Sequence, residues 1–403
     1  MNNPFVSDTF SNIWLKHFGK EKKNYLFFKN LKFLKANIFL PVYCNVGENF
    51  TNGVSYNCKE LLTEKVKSKV LLIYDVPTYF NKNSSFLDSK IKYLKTKQYA
   101  GGYTDFDKFS SLEEILQTRF KAKKRAEFKK FKKRLELCYN VEYICYKGDV
   151  SISDYDYLMQ AFFVLLEKRY IEKGINNRNT SSKFQLYYKE LIYKLINENK
   201  ASLFVVKCDD NLVSMSINFH SEDIMFYAIP VFDTNYSKFN LGHISLMAIF
   251  DWCIENGVKK FDFSKGDGIY KDKWITNHYH YENHIIYNSK SLISSFLAKL
   301  IFLFFNFKQF LRDKNFNSLI NKIYFKGTKV EQKLPLLSKE ISFDDGENIK
   351  EKINSDYQFL LMHLNLYVYD NSEKLLDVKI LQSKSQNNLY QFLGKNSCLE
   401  LRF

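Results

Sequence analysis

The sequence has 403 residues, and its 60 Lys and Arg against 44 Asp and Glu give a formal net charge of +16. Hydrophobic residues make up 45% and aromatic residues 17%, so the chain can build a sizeable core and is not mostly disordered. Only 5 Pro and 14 Gly exclude collagen and proline-rich linkers, and at roughly 150 residues per domain the length predicts two or three domains.

The seven cysteines include no C-x-x-C pair, and several lie inside apolar runs, as Cys145 and Cys253 do. This usage is typical of reduced core cysteines in the cytoplasm. The polar start, MNNPFVSDTF, lacks the layout of a signal peptide. Together these features predict a cytoplasmic protein rather than a secreted or multi-span one.

The first hundred residues have the pattern of a mixed α/β segment. A helical pattern around Trp14 precedes strand-like apolar runs at 37–42 and 70–76. The Gly101-Gly102 step is typical of a turn or loop. We therefore expect a first unit of residues 1–108.

The strongest charge feature is the run 119–134, which holds ten basic residues and one acidic residue. Apolar residues recur through and around it at helical spacing, at Leu112, Leu116, Phe120, Phe128, Phe131 and Leu135. The pattern predicts one long amphipathic helix with a basic outer face. That face could neutralise nucleic-acid phosphates, contact an anionic membrane surface or a diphosphate-linked sugar carrier, or be solvated only. The phenylalanines fall on the apolar side, so base stacking and nucleic acid are the less favoured interpretation.

From residue 140 the order of elements is strand, helix, helix, three strands joined by short polar turns, helix, strand and a last alternating run. Short polar turns between such strands predict antiparallel hairpins. The predicted elements lie at 140–147, from Asp154 onward, 182–199, 201–208, 212–220, 224–229, 242–256, 258–263 and 279–287. The step from 224–229 through a helix to 258–263 predicts a parallel crossover.

The N-terminus of the helix inside this crossover is a candidate anion site. Its first turn begins at Leu241, Gly242 and His243. Amides of a first turn point outward and the helix dipole favours negative charge, while a glycine lets a phosphate approach the backbone. An ordinary loop glycine remains the alternative at this point.

The run 235–274 resembles the signature of GNAT acyltransferases of the CelD-like group from cellulose biosynthesis, which are related to FemAB-type transferases. The resemblance rests on a Gly before the helix, then G-x-x-x-F-D-F, then G-D-x-x-Y-K-x-x-W. The matching residues are Gly242, Gly257, Phe261, Asp262, Phe263, Gly266, Asp267, Tyr270, Lys271 and Trp274. Pro4, Phe5, Phe10 and Trp14 are similar to the family's usual start, so the resemblance covers roughly residues 1–330.

The resemblance implies a mixed α/β GNAT fold with two GNAT-like lobes and largely antiparallel sheets. It implies a degenerate lobe at 1–108, an acyltransferase domain at 109–288, an apolar and basic helical segment at 289–330 and a tail of unknown role at 331–403. It also implies acetyl-CoA or another acyl-CoA as co-substrate, with no permanently bound cofactor.

By the same resemblance, pantetheine lies between two parallel strands that part, here 224–229 and 258–263. Backbone groups near Ile229 and Val231 pair with it, and the amides around Leu241, Gly242 and His243 hold the pyrophosphate. The usual phosphate loop of the fold has a second small residue after the glycine, but here His243-Ile244 follows Gly242. FemAB-type enzymes, which use aminoacyl-tRNA, have a similarly eroded loop.

Acyl transfer needs a base, donors for the developing oxyanion and an acceptor held close to the thioester. Asp267 is the favoured candidate for the base or for orienting the acceptor, with a turn-capping role as its alternative. Asp262, Tyr270 and Lys271 complete the catalytic candidates, as a cleft carboxylate, a proton donor to the leaving thiolate and an anion-binding group. Lys265 and Trp274 are the candidate substrate-binding residues, although packing is the simpler role for Trp274.

Two further patterns compete for a function. His278, His280, Glu282 and His284 alternate along a predicted strand, yet four ligands on one strand are too spread for one ion, so no metal site is expected. The apolar run 291–310 is about as long as a membrane span. A partly buried helix, an interfacial helix lying on a membrane and a true span all remain open for it.

The residues and the resemblance together predict an acyltransferase that moves an acyl group to an amine or hydroxyl, plausibly on a sugar or a cell-envelope polysaccharide precursor. A FemAB-type aminoacyl-tRNA-dependent transferase is the first alternative. A non-catalytic basic module that binds nucleic acid or an anionic membrane is the second. A cytoplasmic location, with peripheral contact at the inner membrane face, fits all three.

Overall fold

The computed structural model describes residues 3–19, 25–28, 31–36, 39–57, 66–80, 88–174, 177–266, 268–314, 343 and 345–403. Helices α1 to α9 are Asp8–Phe18, Leu112–Arg119, Ala122–Cys138, Ile152–Glu172, Ser182–Asn197, Leu241–Glu255, Ile269–Asp272, Leu292–Asp313 and Leu361–Asn371. Strands β1 to β8 are Tyr25–Phe28, Leu31–Lys35, Val42–Asn45, Val70–Pro77, Ile91–Asp105, Val141–Tyr146, Ala201–Cys208 and Asn211–Ser221. Strands β9 to β15 are Ile224–Phe232, Lys260–Asp262, Asn277–Asn288, Gly346–Asn348, Lys379–Ser383, Leu389–Leu393 and Cys398–Arg402.

Eleven strands form one sheet in the order β1-β2-β3-β4-β11-β5-β10-β9-β8-β7-β6. Only β3 with β4 and β9 with β10 pair in parallel among the described strands, so the sheet is largely antiparallel. The predicted α/β class with mixed, largely antiparallel sheets is therefore confirmed. A separate four-stranded antiparallel sheet, β12-β13-β14-β15, belongs to the tail.

Local chemistry explains the hairpins and the helix ends of the central region. Asp209 and Glu222 adopt left-handed backbone conformations in the turns that join β7 to β8 and β8 to β9, where short polar residues are tolerated. The Ser151 hydroxyl caps α4 by accepting from the Asp154 amide. The predicted three-strand meander is confirmed, and β9 runs three residues beyond its predicted end.

Helices cover both faces of the sheet. Helices α1, α4 and α5 pack on one face, where Phe10, Phe162 and Leu195 are buried. On the opposite face α2, α3 and α6 pack together with the tail helix α9, burying Phe128 and Phe250. The candidate site residues lie on the sheet, between these two layers of helices.

Several predictions about local structure are wrong. The basic helix is two helices, because Phe120 adopts an extended backbone (φ −132°, ψ 140°) and buries its ring between α2 and α3. Of the strand predicted at 37–42, residues 37–38 lie outside the described residues, residues 39–41 are not in a strand, and β3 begins only at Val42. Cys398 is exposed, whereas Cys44, Cys138, Cys208 and Cys253 are buried.

The Gly101-Gly102 step is not a turn but the middle of the 15-residue strand β5. The neighbouring chain explains why glycines are there, since a Cβ at Gly101 would overlap the Tyr279 ring and one at Gly102 the Ile275 side chain. Strand β11 lies between β4 and β5. Residues on both sides of position 108 therefore build one continuous sheet, and the domain limits remain a prediction.

Candidate active site between two parting strands

The pairing of β9 with β10 is short, and the site lies where it ends. The strands pair in parallel at only three positions, Ile224 with Lys260, Met225 with Phe261 and Phe226 with Asp262. Strand β9 continues to Phe232, whereas β10 ends at Asp262. The gap that opens beyond this point gives the parted parallel strands expected from the sequence.

One cavity of about 310 Å³ opens from this gap on the side of α6. Its lining includes four of the five predicted cofactor-binding residues, Val231, Leu241, Gly242 and His243, and also the predicted catalytic Tyr270. Ile229, the fifth, lines a second cavity instead. We call the first the α6-side cavity.

The start of α6 is shaped for close approach to its backbone. Asn240 adopts a left-handed conformation (φ 57°) and its carbonyl accepts from the His243 amide at 3.0 Å. A Cβ at Gly242 would come no closer than 3.6 Å to a neighbour, the Phe232 ring. The protein itself therefore does not require glycine here, and the space beside it is available to a ligand.

Arg169 modifies the edge of β9 in the same cavity. Its Nη1 donates to the Pro230 carbonyl at 2.8 Å, and its guanidinium lies 4.8 Å from the Phe232 ring centroid. The Asp233 amide donates to Val213 on β8, so by alternation Pro230 turns its backbone toward the gap. Proline has no N–H, so at this position the open edge offers no donor, and its carbonyl already has a partner.

The second cavity, of about 160 Å³, lies on the opposite side of the sheet, and we call it the Lys265-side cavity. Its polar lining includes Asn52, Arg178, Ser264 and Lys265. Aromatic rings complete the wall, among them Phe50, Tyr187 and Tyr188. Such a mixture of hydrogen-bonding groups and flat apolar rings fits a polar, ring-containing ligand.

A buried ion pair lies behind the wall of this second cavity, which Lys265 lines and Asp75 does not. The Lys265 Nζ lies 2.5 Å from Asp75 Oδ2, which also accepts from the Thr51 hydroxyl at 2.8 Å. Burial raises the pKa of the Asp75 carboxyl and lowers that of the Lys265 amine, and their mutual attraction opposes both shifts. Asp75 has a left-handed backbone (φ 61°), and its Oδ1 has no hydrogen-bond partner within the described chain.

Asp262 lies at the point where the strands part, and its carboxylate is completely buried. It accepts from the Tyr79 hydroxyl at 2.6 Å, from the Tyr279 hydroxyl at 2.7 Å and from the Ser264 amide at 2.7 Å. Burial raises the pKa of this carboxyl from 3.8 to about 6, against the lowering effect of its hydrogen bonds. A carboxylate with a pKa near neutrality is suited to accept a proton.

The remaining predicted residues have varied surroundings. Asp267 lies outside the described residues. The Lys271 Nζ donates to the Phe263 carbonyl at 2.9 Å. Trp274 is completely buried, and its Nε1 donates to His243 Nδ1 at 3.1 Å. Its ring packs against Phe120 and so has no exposed face for a substrate, a placement that favours packing.

His243 is neutral near pH 7, because burial lowers its pKa to about 4, with further lowering from Lys124 and Lys273. The neutral ring can accept the Trp274 hydrogen bond, which fixes its orientation at the cavity wall. Its ring also lies 5.0 Å from that of Phe128 on α3. The apolar side of α3 therefore packs behind this wall of the α6-side cavity.

Sequence reasoning missed Asp75, Tyr79, Arg169, Arg178 and Tyr279. Asp75, Tyr79, Arg169 and Arg178 belong to no local sequence motif. Only the folded structure brings them near the gap. Tyr279 begins the alternating run 279–287, but its place opposite Gly101 of β5 follows only from the strand pairing. The run of histidines around it is interrupted by register shifts beside Glu282, and among the described residues no group of three His, Cys, Asp or Glu could hold a metal ion.

Comparison with known proteins agrees with this geometry. Residues 122–272 match the family model described as an acetyltransferase (GNAT) domain, which is less than half of the chain. Residues 122–272 are therefore similar to a GNAT-type acetyltransferase domain, and the predicted fold is confirmed. The match does not distinguish the CelD-like group within the superfamily.

Solved structures give weaker similarities. FemX shares 13% identity with a TM-score of 0.48, covering 72% of this chain and 93% of its own. L-PGS from Bacillus licheniformis shares 12% identity with a TM-score of 0.43, covering 75% and 98%. A tandem GNAT protein from the clavulanic acid biosynthesis pathway shares 8% identity with a TM-score of 0.31, covering 63% and 77%. No curated protein matches the sequence.

Proposed function

We propose that the protein transfers an acyl group from acyl-CoA to an amine or hydroxyl, with donor and acceptor entering the gap from opposite sides of the sheet. The observation that carries this proposal is the pair of cavities on the two faces of the sheet, whose linings meet along β9 at Ile229 and Pro230, with Asp262 buried at the last position where β10 pairs with β9. Direct transfer requires both substrates to meet at one point, and this arrangement provides it.

The donor is assigned to the α6-side cavity, as a co-substrate rather than a permanently bound cofactor. The N-terminal amides of α6, with Gly242 among them, suit a pyrophosphate. Tyr270 lines the same cavity and is 40% exposed. Its hydroxyl would protonate the thiolate that leaves as the new bond forms.

The acceptor is assigned to the Lys265-side cavity, whose polar and aromatic lining supports a sugar or a cell-envelope polysaccharide precursor. The acceptor nitrogen or oxygen attacks the thioester carbonyl, the C–S bond breaks, and the acceptor's proton passes to Asp262. Because Asp262 is buried while Tyr79 and Tyr279 are partly exposed, the proton travels through one of these phenol groups.

Calorimetric titration with acetyl-CoA and with CoA at physiological salt tests the donor assignment. We expect saturable micromolar binding that is lost in Gly242→Glu, which puts a carboxylate where the pyrophosphate would lie. Gly242→Ala is the graded control: its methyl group meets no protein atom closer than 3.6 Å, so the fold is kept, and it should weaken binding much less than Gly242→Glu does. Equal binding by all three proteins would contradict the assignment, because the basic helix alone would then hold the CoA phosphates.

Aminoacyl-tRNA is a second candidate donor, favoured by the altered edge of β9. At the open edge of β9, Pro230 has no N–H and its carbonyl already accepts from Arg169. Pantetheine would need both of these backbone groups as hydrogen-bond partners. Helix α3 offers a basic surface for tRNA, on which Lys123, Lys130 and Lys133, together with the N-cap residue Lys121, are exposed and have no ion-pair partner among the described residues.

Transfer assays with charged tRNA and with acetyl-CoA separate the two donors. If aminoacyl-tRNA is the donor, transfer should depend on aminoacyl-tRNA and the protein should not bind CoA. The CoA reading predicts that Pro230→Ala, which restores an N–H, keeps or strengthens acetyl-CoA binding. A non-catalytic basic module would instead bind polyanions with an affinity that collapses with salt and would be indifferent to Asp262→Asn. A cytoplasmic location remains a prediction under all three readings.

A further inference from the structure

Helix α8 has two apolar faces, and only one of them is covered. On the inner face Ala298 and Phe305 are buried against β3, β4 and β11. The Ser294 hydroxyl donates to the Lys69 carbonyl at 2.9 Å near the start of the helix. At its end the Arg312 guanidinium lies 4.2 Å from the Tyr99 ring centroid. The helix is therefore attached to the sheet along its whole length.

The outer face of α8 is a continuous exposed stripe of large hydrophobic side chains. Their spacing of three or four residues places them on one side of the helix, over about 27 Å at 1.5 Å per residue. Their exposed fractions run from 46% at Leu300 to 89% at Leu292. The outer stripe consists of Leu292, Ile293, Phe296, Leu300, Leu303, Phe304, Phe307 and Phe310.

Positive charge accompanies the outer stripe. Lys299 and Lys308 are exposed within α8, and Lys290 and Lys314 flank its ends. Asp313 is the one acidic residue of the helix, and it accepts a hydrogen bond from Gln309 at 2.7 Å. An apolar face bordered by lysines is complementary to a bilayer with anionic head groups, in which apolar side chains enter the acyl boundary and lysines contact phosphates.

We propose that the outer stripe of α8 docks the protein in the plane of an anionic membrane surface. By length and composition α8 could cross a membrane. Crossing would, however, detach the inner face from the sheet and expose Ala298 and Phe305. A second copy of the chain is a poorer occupant, because a two-fold contact between stripes would bring like-charged lysines together. This inference does not depend on the proposed acyl transfer.

Vesicle sedimentation with the full chain tests the docking. The protein should bind phosphatidylcholine vesicles containing 30% phosphatidylglycerol at least tenfold more tightly than pure phosphatidylcholine. The double variant Phe296→Glu/Phe304→Glu should lose at least tenfold in affinity for the anionic vesicles. Ile171→Glu, on α4 and 68% exposed, is the matched control and should bind like the unchanged protein.

Tryptophan depth measurements distinguish docking from crossing. Leu292→Trp, Leu300→Trp and Phe310→Trp should be quenched to a similar extent by lipids brominated near the head groups, with Ile171→Trp unquenched. Deep quenching at Leu300→Trp with shallow quenching at the two ends would overturn the in-plane geometry. Absence of vesicle binding, with a dimer in sedimentation that Phe296→Glu/Phe304→Glu dissociates, would show that a second copy covers the stripe.

Discussion

Replacing Asp262 by Asn should affect activity and the pH dependence of stability in separate, measurable ways. Burial raises the pKa of the carboxyl from 3.8 to about 6, which corresponds to ~3 kcal/mol of differential interaction. The folded state holds the proton more tightly than the unfolded state does. Ionisation of Asp262 therefore opposes folding.

The sign of the stability effect follows from this linkage. The stabilising contribution of protonated Asp262 is fully present below pH 3.8 and is lost as pH rises through about 6. Between pH 5 and pH 8 the unchanged protein should lose about 1.4 kcal/mol that Asp262→Asn does not lose. Urea unfolding of both proteins at the two pH values measures this difference, in which all other titrating groups cancel.

Activity should change in the opposite sense. If Asp262 accepts the acceptor's proton, the rate of the unchanged enzyme should rise through pH 6, and Asp262→Asn should lose about 10²- to 10⁴-fold at pH 8. The assay is release of free CoA thiol with an acceptor found by screening amines and amino sugars. Full activity in a folded Asp262→Asn, or an unchanged ascending limb near pH 6, would refute the role of this carboxylate.

Three further substitutions test the surroundings of the site. Lys265→Met leaves the Asp75 carboxylate buried without its partner and should lower the free energy of unfolding in urea by ~3–5 kcal/mol. The double variant Lys265→Met/Asp75→Asn should recover part of this loss. Equal stability of the single and double variants would contradict the ion pair. Trp274→Ala should lower the free energy of unfolding by ~3–5 kcal/mol through the cavity it creates, and Trp274→Phe should lower it less. An unchanged stability of Trp274→Ala would contradict the packing role. Gly101→Ala should push the Tyr279 ring from Asp262, lowering turnover and costing ~1–3 kcal/mol, whereas unchanged turnover would show that this tyrosine is not needed.

The sequence predicted the elements whose periodicity is local. The meander β7-β8-β9, the helix after it and the strand β4 all lie close to their predicted positions, because short polar turns and apolar repeats mark them. Strand β5 escaped prediction, since its Gly101-Gly102 step is typical of a turn. A side chain at these two positions would collide with Tyr279 on β11 and with Ile275 just before it, more than 170 positions away in the chain, and no local pattern records such a contact.

The two cavities of the candidate site differ in how local their residues are in the sequence. Val231, Gly242 and His243 follow one another along the β9–α6 connection, so a motif could place them together in the α6-side cavity. The Lys265-side cavity is lined by Thr51 from the beginning of the chain and Arg178 from its middle, and Asp75 pairs with Lys265 behind its wall. Only the tertiary fold brings these residues to Lys265. The motif at 235–274 therefore does not predict this cavity.

The order of strands in the sheet determines what the N-terminal unit contributes. Strand β11 lies between β4 and β5, and β5 in turn pairs with β10. Tyr79, just after β4, and Tyr279, on β11, therefore reach the Asp262 carboxylate together. Residues 1–108 thus supply Tyr79, a hydrogen-bond donor to the proposed base, and Asp75, the acid of the buried ion pair. Residues 1–108 are thus part of the candidate active site, and removing them would expose β10 and leave Asp262 with only half of its phenol partners.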